Sequence, residues 1–197
     1  MTNFFEKFRL VNANLTIHDQ REVLSQFDNI SESEIHELTW MIKSEQAGKV
    51  IEYLGPHRLR KHLGDFIEIL QDRSWPAAKG TAIMLKDAGI ILLPSIKRIF
   101  GHGIDVEWQQ NIIDLILENW KPSEIQELKR ELVEMVNKGI PFRSSSALSL
   151  LQRKSVLSDN DIKFHMNNLT QLFASNPEAL QDLQQKVKDR TPAQPAY

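Results

Sequence analysis

Apolar residues recur along this chain at intervals of three and four, which is the spacing of one face of an α-helix. The clearest stripe comprises Leu59, Leu63, Phe66, Ile67 and Leu70. It predicts one continuous helix over residues 56–71. No stretch alternates apolar and polar residues over the length of a β-strand. The sequence therefore predicts an all-α fold.

Residues that begin and end helices divide the chain into short segments. The expected helix starts are Ser31, 74–76, 121–123, 144–146, Ser158 and 176–178. At 74 and 144–146, serine hydroxyls are expected to accept hydrogen bonds from first-turn amides. Gly48 is expected to divide the helix that follows Ser31, whereas Gly89 and Gly139 should end helices.

One short motif occurs twice. Asp72 and Trp75 enclose two residues in a predicted loop between helices, and Asp105 and Trp108 repeat that spacing 33 residues later. Helical arrays repeat with a period of roughly 20–50 residues, and each helix pair buries its apolar face against its neighbours. The sequence therefore predicts a short right-handed α-solenoid of HEAT-like antiparallel helix pairs.

The expected domain organisation follows from this repeat. Residues 31–154 would form the HEAT-like stack, preceded by an N-terminal segment over 1–30 with one short helix. Residues 155–190 would form a C-terminal helical extension. In its first helix, which begins at Ser158, Ile162, Leu169, Leu172 and Phe173 are expected to be the apolar side. Residues 191–197 should be a disordered tail.

Composition excludes several classes of function. The chain has no cysteine, which excludes disulfides, thiolate catalysis and cysteine zinc sites. Its net charge of −2 makes nucleic acid an improbable main partner, since such binders usually carry a basic excess. No window approaches the roughly 18 apolar residues of a membrane span, and the N-terminus does not resemble a signal peptide. We therefore expect a cytoplasmic protein with no membrane partner.

The two repeated junctions supply most of the candidate binding residues. Trp75 and Trp108 would be aromatic anchors, because tryptophan is enriched where proteins bind one another. Asp72 and Asp105 would give the same rim an acidic character. The alternative interpretation makes the tryptophans core residues of the repeat and the aspartates turn or cap residues.

Further candidates lie outside the repeated motif. Arg58 and Lys61 belong to the one dense basic cluster, which could contact acidic groups or could be a solvated helix face. His102 lies between two glycines, but no neighbouring residue is an evident catalytic partner for it. The sequence predicts no catalytic residue, no metal site and no cofactor.

A resemblance adds to this interpretation. The sequences Ile69-Leu-Gln-Asp-Arg-Ser-Trp-Pro-Ala-Ala78, 93–100 and Glu107-Trp-Gln-Gln110 resemble a family of small uncharacterised bacterial HEAT-like helical domains over about residues 45–150. The marks of that family are an L-Q-D-x-N-W-P-V-A helix junction and a later W-x-x-W helix start. Here Ser74 replaces the asparagine, Ala77 replaces the valine, and a glutamine replaces the second aromatic after Trp108.

The resemblance implies a fold and, less directly, a role. It implies that the chain, like other small HEAT-like proteins, could serve as an immunity protein that neutralises a bacterial toxin, and it implies no catalytic activity. The expected function is a non-catalytic protein-binding module, most specifically an immunity protein whose partner is a toxin domain. The alternatives are a HEAT-like DNA-binding or DNA-repair protein resembling the alkylpurine glycosylases, and a scaffold subunit of a larger complex. The sequence does not indicate an oligomeric state.

Overall fold

Helices are the only regular structure that the chain forms in its described part. The computed structural model describes residues 4–102 and 105–188, and the side chains of all of these except His102 and Lys188. The helices are α1 (Phe4–Lys7), α2 (Arg21–Leu24), α3 (Glu32–Trp40), α4 (Glu45–Arg58), α5 (Leu63–Phe66), α6 (Ala78–Ala88), α7 (Leu93–His102), α8 (Val106–Leu115), α9 (Pro122–Gln126), α10 (Lys129–Asn137), α11 (Arg143–Arg153), α12 (Asp159–Leu172) and α13 (Pro177–Lys188). Short 3-10 turns lie over Phe8–Leu10, Ser25–Phe27, Arg60–His62, Ile67–Gln71, Gly89–Leu92 and Leu117–Asn119.

The described residues divide into two compact units, with the boundary between Leu92 and Leu93. The first unit contains α1 to α6, and the second contains α7 to α13. The stack predicted over residues 31–154 spans this boundary. No helix in the described residues is both long enough and apolar enough to cross a membrane. The tail predicted over 191–197 lies outside the described residues.

The first unit is organised by the packing of α4 against α6. Gly48 and Gly80 lie where the two helices cross, and both are buried. The prediction that Gly48 divides a helix was therefore wrong: the break lies between Trp40 and Glu45, and Gly48 belongs to the first turn of α4. A glycine at a helix crossing removes a side chain that would hold the two backbones apart.

The apolar stripe between Pro56 and Gln71 is buried as expected, but it does not form one helix. Gly55 adopts φ 68° and ψ 170°, a conformation outside the helical region, and Pro56 follows it inside α4. The rest of the stripe is divided between a 3-10 turn at Arg60–His62, α5, and a second 3-10 turn at Ile67–Gln71. The 3-10 turns repeat at about three residues per turn instead of 3.6.

The start of α6 also differs from the expectation. The helix begins at Ala78, and its N-cap residue Ala77 makes no side-chain hydrogen bond. Ser74 is not a cap, because it lies in the preceding turn, where its amide donates to Asp72 Oδ1 over 2.7 Å. The helix ends as predicted at Gly89, whose φ of 56° suits a residue without a Cβ atom.

Helix α11 is the centre of the second unit and packs against α8, α10, α12 and α13. Every residue from Arg143 to Leu151 is buried. The prediction that Ser144, Ser145 and Ser146 cap this helix was wrong. The helix begins one residue earlier, and all three hydroxyls face the interior; that of Ser144, for example, donates to the Met135 carbonyl over 2.7 Å.

Several local predictions for the second unit are confirmed. Asp105 caps α8, and Ser158 forms a capping box with Asp161 at the start of α12. Gly139 follows α10 with φ 59°. The inward side predicted for α12 is correct except at Leu172, which is 58% exposed and lies beside Gly139.

Candidate functional site

A groove on the first unit brings two tryptophans and two carboxylates together. It has a volume of about 230 Å³. Its lining consists of His36, Thr39, Trp40, Ile42, Asp65, Glu68, Ile69, Gln71 and Trp75. We call this feature the Trp40 groove. One wall consists of residues of α3 together with Ile42. The other consists of residues of α5, the 3-10 turn at Ile67–Gln71 and the loop before α6.

Trp40 is the most exposed large apolar side chain of those described, at 72% of its surface. It is the last residue of α3, whose buried positions are Ile35 and Leu38. Its indole N–H donates to His36 Nε2 over 3.3 Å, and the two rings meet edge to face at 81°. Trp40 is thus oriented by a neighbour one helical turn away without being buried.

Trp75 is half-buried in the loop that leads to α6. The loop is held by the Trp75 amide, which donates to the Asp72 carbonyl over 3.2 Å, and by the Ala77 amide, which donates to the Ile42 carbonyl over 3.1 Å. Hydrogen bonds from the Ser74 side chain and amide keep the pKa of Asp72 below its ordinary value. Asp72 therefore fixes the turn that places Trp75, and Ala77 ties the two walls of the groove together.

The two carboxylates of the groove differ in their partners. Asp65 Oδ2 lies 3.3 Å from His62 Nδ1, and the other nitrogen of that ring lies 2.6 Å from Glu32 Oε2. Glu68 is exposed, and no cation of the described residues lies within ion-pair distance of it. The lining of the groove contains no lysine or arginine.

The basic cluster proposed from the sequence is occupied by the first unit's own acids. Arg58 Nη1 lies 2.8 Å from Asp28 Oδ1, which also accepts a hydrogen bond from the Tyr53 hydroxyl over 2.6 Å. Lys61 Nζ lies 3.3 Å from Glu32 Oε1. These pairs connect the segment before α3 and the first residue of α3 to the end of α4 and the turn after it, so both cations already have a structural contact.

The second repeated junction lies in the second unit. Asp105 Oδ1 accepts a hydrogen bond from the Trp108 amide over 2.9 Å, as an N-cap does. Trp108 is half-buried within the first turn of α8, whereas Trp75 precedes its helix by three residues. The backbone of His102 ends α7, but its side chain lies outside what the structure describes, so the prediction for it stays untested.

The structure thus brings Trp75 to the groove and places Asp72 in the turn beside it. Arg58, Lys61, Asp105 and Trp108 lie elsewhere. Trp40 and Glu68 were not predicted. Only Trp40 had a signal in the sequence: it lies off the apolar stripe of its helix, where a large aromatic residue is exposed.

Two other depressions are less suited to a partner. One lies beside the crossing of Gly48 and Gly80 and carries lysines and glutamates but no aromatic side chain. The other, near Arg130 and Glu131, is wide and shallow, with charges of both signs. Within residues 4–102 and 105–188, no three His, Asp or Glu side chains are placed to hold a metal ion.

Comparison with known proteins gives a family and no function. Neither the curated proteins nor the solved structures include a match to this chain. The profile of a domain of unknown function, DUF5071, matches residues 45–153, which is more than half of the chain. That region includes α4, Asp65, Glu68 and Trp75, whereas Trp40 precedes it. The chain is therefore a member of the DUF5071 family.

Proposed function

We propose that this protein acts by binding a protein partner in the Trp40 groove. The observation that carries the proposal is the placement of Trp40: an indole with 72% of its surface exposed lines the same groove as Trp75. Tryptophan is among the residues most enriched at the energetic centres of protein interfaces. A partner that covers Trp40 would remove a large apolar surface from water.

The groove is also fixed before binding. The turn at Asp72, the Ala77–Ile42 backbone bond and the His36–Trp40 contact each hold a part of the lining in place. A site whose backbone and side chains are already ordered loses less conformational entropy when it binds. Rigid interfaces of this kind bind with little movement of the backbone.

The more specific form of the proposal is a bacterial immunity protein built from HEAT-like helix pairs. Its support is the resemblance of the junction over 69–78 to small bacterial helical domains, together with a binding groove that requires no cofactor. In this form, the protein neutralises a toxin by covering its active site. The basic cluster supports nucleic-acid binding poorly, because Arg58 and Lys61 are paired with Asp28 and Glu32.

The experiment compares the proteins that wild type and two single variants capture from a cell extract. Tagged wild-type protein, Trp40→Ala and Phe164→Ala are each used to capture proteins from the source cells, and the captured proteins are quantified by mass spectrometry. Phe164 is the matched control, because it is an aromatic residue that is 61% exposed on α12, in the second unit. We expect a partner that wild type and Phe164→Ala retain and that Trp40→Ala loses.

The immunity form has its own test. The product of the neighbouring gene is expressed alone and together with each variant, and growth is measured. Wild type and Phe164→Ala should restore growth, and Trp40→Ala should restore it less. If the same proteins are captured by all three variants, the groove is not the binding site; if the neighbouring product is harmless, the immunity form is wrong.

A further inference from the structure

We infer that the Trp40 groove receives an arginine side chain of the partner, which stacks on the Trp40 ring and pairs with Glu68. The inference rests on the proposed function and adds the chemical class of the residue that is bound. It is carried by three independent properties of the groove: its charge, the free faces of one aromatic ring, and its size.

The charge of the groove is one-sided. Asp65 and Glu68 both line it, and its lining has no lysine or arginine. His62 contacts Asp65 from outside the lining, whereas no cation of the described residues pairs with Glu68. A cationic side chain that enters the groove meets an uncompensated carboxylate at Glu68. Complementary charges favour both encounter and specificity at an interface.

The ring of Trp40 is oriented to receive a flat cation. Its N–H edge is committed to His36, which the indole meets at 81° with the ring centres 6.1 Å apart. Since that contact uses the edge and the side chain is 72% exposed, the ring retains free face area. The face of an indole carries negative potential, and arginine stacks on it more often than lysine does.

The volume favours a single side chain. Sites for drug-sized molecules occupy roughly 300–1,000 Å³. The groove, at about 230 Å³, is smaller than these and open to solvent. It suits the end of one long side chain that reaches in from a partner surface.

The two carboxylates also predict a distinctive response to mutation. Asp65 and Glu68 are three residues apart in a helical segment, and like charges at that spacing repel each other. Glu68→Gln should therefore leave the melting temperature unchanged or slightly raised while it weakens binding. A residue with only a structural role would show the opposite pattern.

The test uses the full chain labelled with ¹⁵N and observes the indole N–H signals, which are assigned with Trp40→Phe and Trp75→Phe. The probes are capped hexapeptide mixtures in which the third position is arginine, lysine, citrulline or leucine and the other positions vary over uncharged residues. Citrulline keeps the shape of arginine but has no charge. We expect the arginine mixture to shift the Trp40 and Trp75 signals with an affinity roughly tenfold above that of the citrulline mixture, with lysine between them.

The variants sharpen this test. Glu68→Gln should weaken the arginine mixture by roughly tenfold, and Asp65→Asn by less, because Asp65 is shared with His62. Glu37→Gln is the control, since Glu37 is an exposed acid on α3 that does not line the groove. It should change nothing, and added salt should weaken binding to wild type.

The outcomes separate the two proposals. Equal binding of the arginine and citrulline mixtures, or tightest binding of the leucine mixture, would overturn the arginine inference and leave the groove as a peptide-binding site. Tighter binding of the lysine mixture than of the arginine mixture would overturn the choice of arginine and show that the groove receives a lysine side chain. If no mixture shifts Trp40 or Trp75, the arginine inference is wrong, and the capture experiment alone then decides the proposed function.

Discussion

Gly80 packs directly against the carbonyl group of Gly48. A Cβ atom built on Gly80 would overlap the carbonyl oxygen and carbon of Gly48, both of which are backbone atoms. Helices α4 and α6 can approach this closely only because neither residue has a side chain at the crossing. This contact sets the position of α6, which directly follows the loop that carries Trp75.

Gly80→Ala should therefore destabilise the protein although alanine favours helices. The obstacle is backbone that cannot rotate away, so the helices must separate, and we expect a loss of about 3 kcal/mol. Gly101→Ala is the matched control, because a Cβ at that helical position meets nothing within 4 Å. It should be neutral or stabilising by up to about 1 kcal/mol. Urea unfolding followed by circular dichroism measures both, and equal effects would contradict the crossing.

The same crossing shows what the sequence could and could not predict. Apolar periodicity identified the buried stripe between Leu59 and Leu70, because burial of a helix face leaves a local pattern. The sequence alone predicts a helix break at Gly48, because a glycine inside a helix and a glycine between helices look alike in sequence. Only its contact with Gly80, 32 positions away, distinguishes them.

Arg143 provides the next prediction. It is 2% exposed, and its Nη1 donates to Gln109 Oε1 over 2.5 Å, whereas Nε and Nη2 have no hydrogen-bond partner among the described residues. Burial lowers the pKa of its guanidinium. Since the charge is desolvated without a carboxylate partner, Arg143→Met should be neutral or stabilising.

Gln109→Leu is the contrasting variant. It would leave Arg143 without its amide partner and the Ile99 carbonyl without the donor that now lies 2.9 Å away. We expect a loss of about 3 kcal/mol in the free energy of unfolding. If Arg143→Met proves as damaging as Gln109→Leu, then the guanidinium has partners that contribute to stability.

The two repeated aspartates should also differ in their contributions. Both have nearly the same backbone conformation, with φ −131° and ψ 109° at Asp72 and φ −130° and ψ 108° at Asp105. Asp105 caps α8, so Asp105→Ala should cost about 1 kcal/mol, while Asp72→Ala, which affects only a turn, should cost less. Asn at either position keeps the acceptor and is the control. Thermal unfolding gives the order, and a larger loss at Asp72 would contradict it.

The binding groove was predictable only in part for a related reason. The repeated motif pointed to Trp75, which lines the groove, and to Asp72, which holds the turn beside it. Trp40 and Glu68 belong to no motif, and they come together only because α3 ends at residue 40 and the turn at Ile67–Gln71 packs near it. The serines at 144–146 were predicted wrongly for a similar reason. A serine that caps a helix and a serine that is buried in its first turn look alike in sequence, and only the packing of the helix distinguishes them.

The contacts of Asp28 predict how stability depends on pH. Hydrogen bonds from Tyr53 and Arg58 hold the pKa of Asp28 below its ordinary 3.8, and the bond to Asp28 raises the pKa of Tyr53 above 10.0. The stabilisation linked to Asp28 is therefore present above pH 3.8 and is lost as the pH falls through its lower folded pKa. That linked to Tyr53 is present below pH 10 and is lost as the pH rises through its higher folded pKa.

Asp28→Asn should accordingly be less stable than wild type at neutral pH, and the difference should shrink below pH 3.8 and above pH 10. Tyr53→Phe should lose the alkaline part of this dependence and weaken the acidic part, because the Tyr53 hydroxyl is the first of the groups that lower the pKa of Asp28. Free energies of unfolding from urea titrations at pH values between 3 and 11 measure the difference. Asp19→Asn is the control, since Asp19 is an exposed acid whose bonds are to the nearby Thr16. A constant difference between Asp28→Asn and wild type across this range would show that the ionised carboxylate does not stabilise the fold.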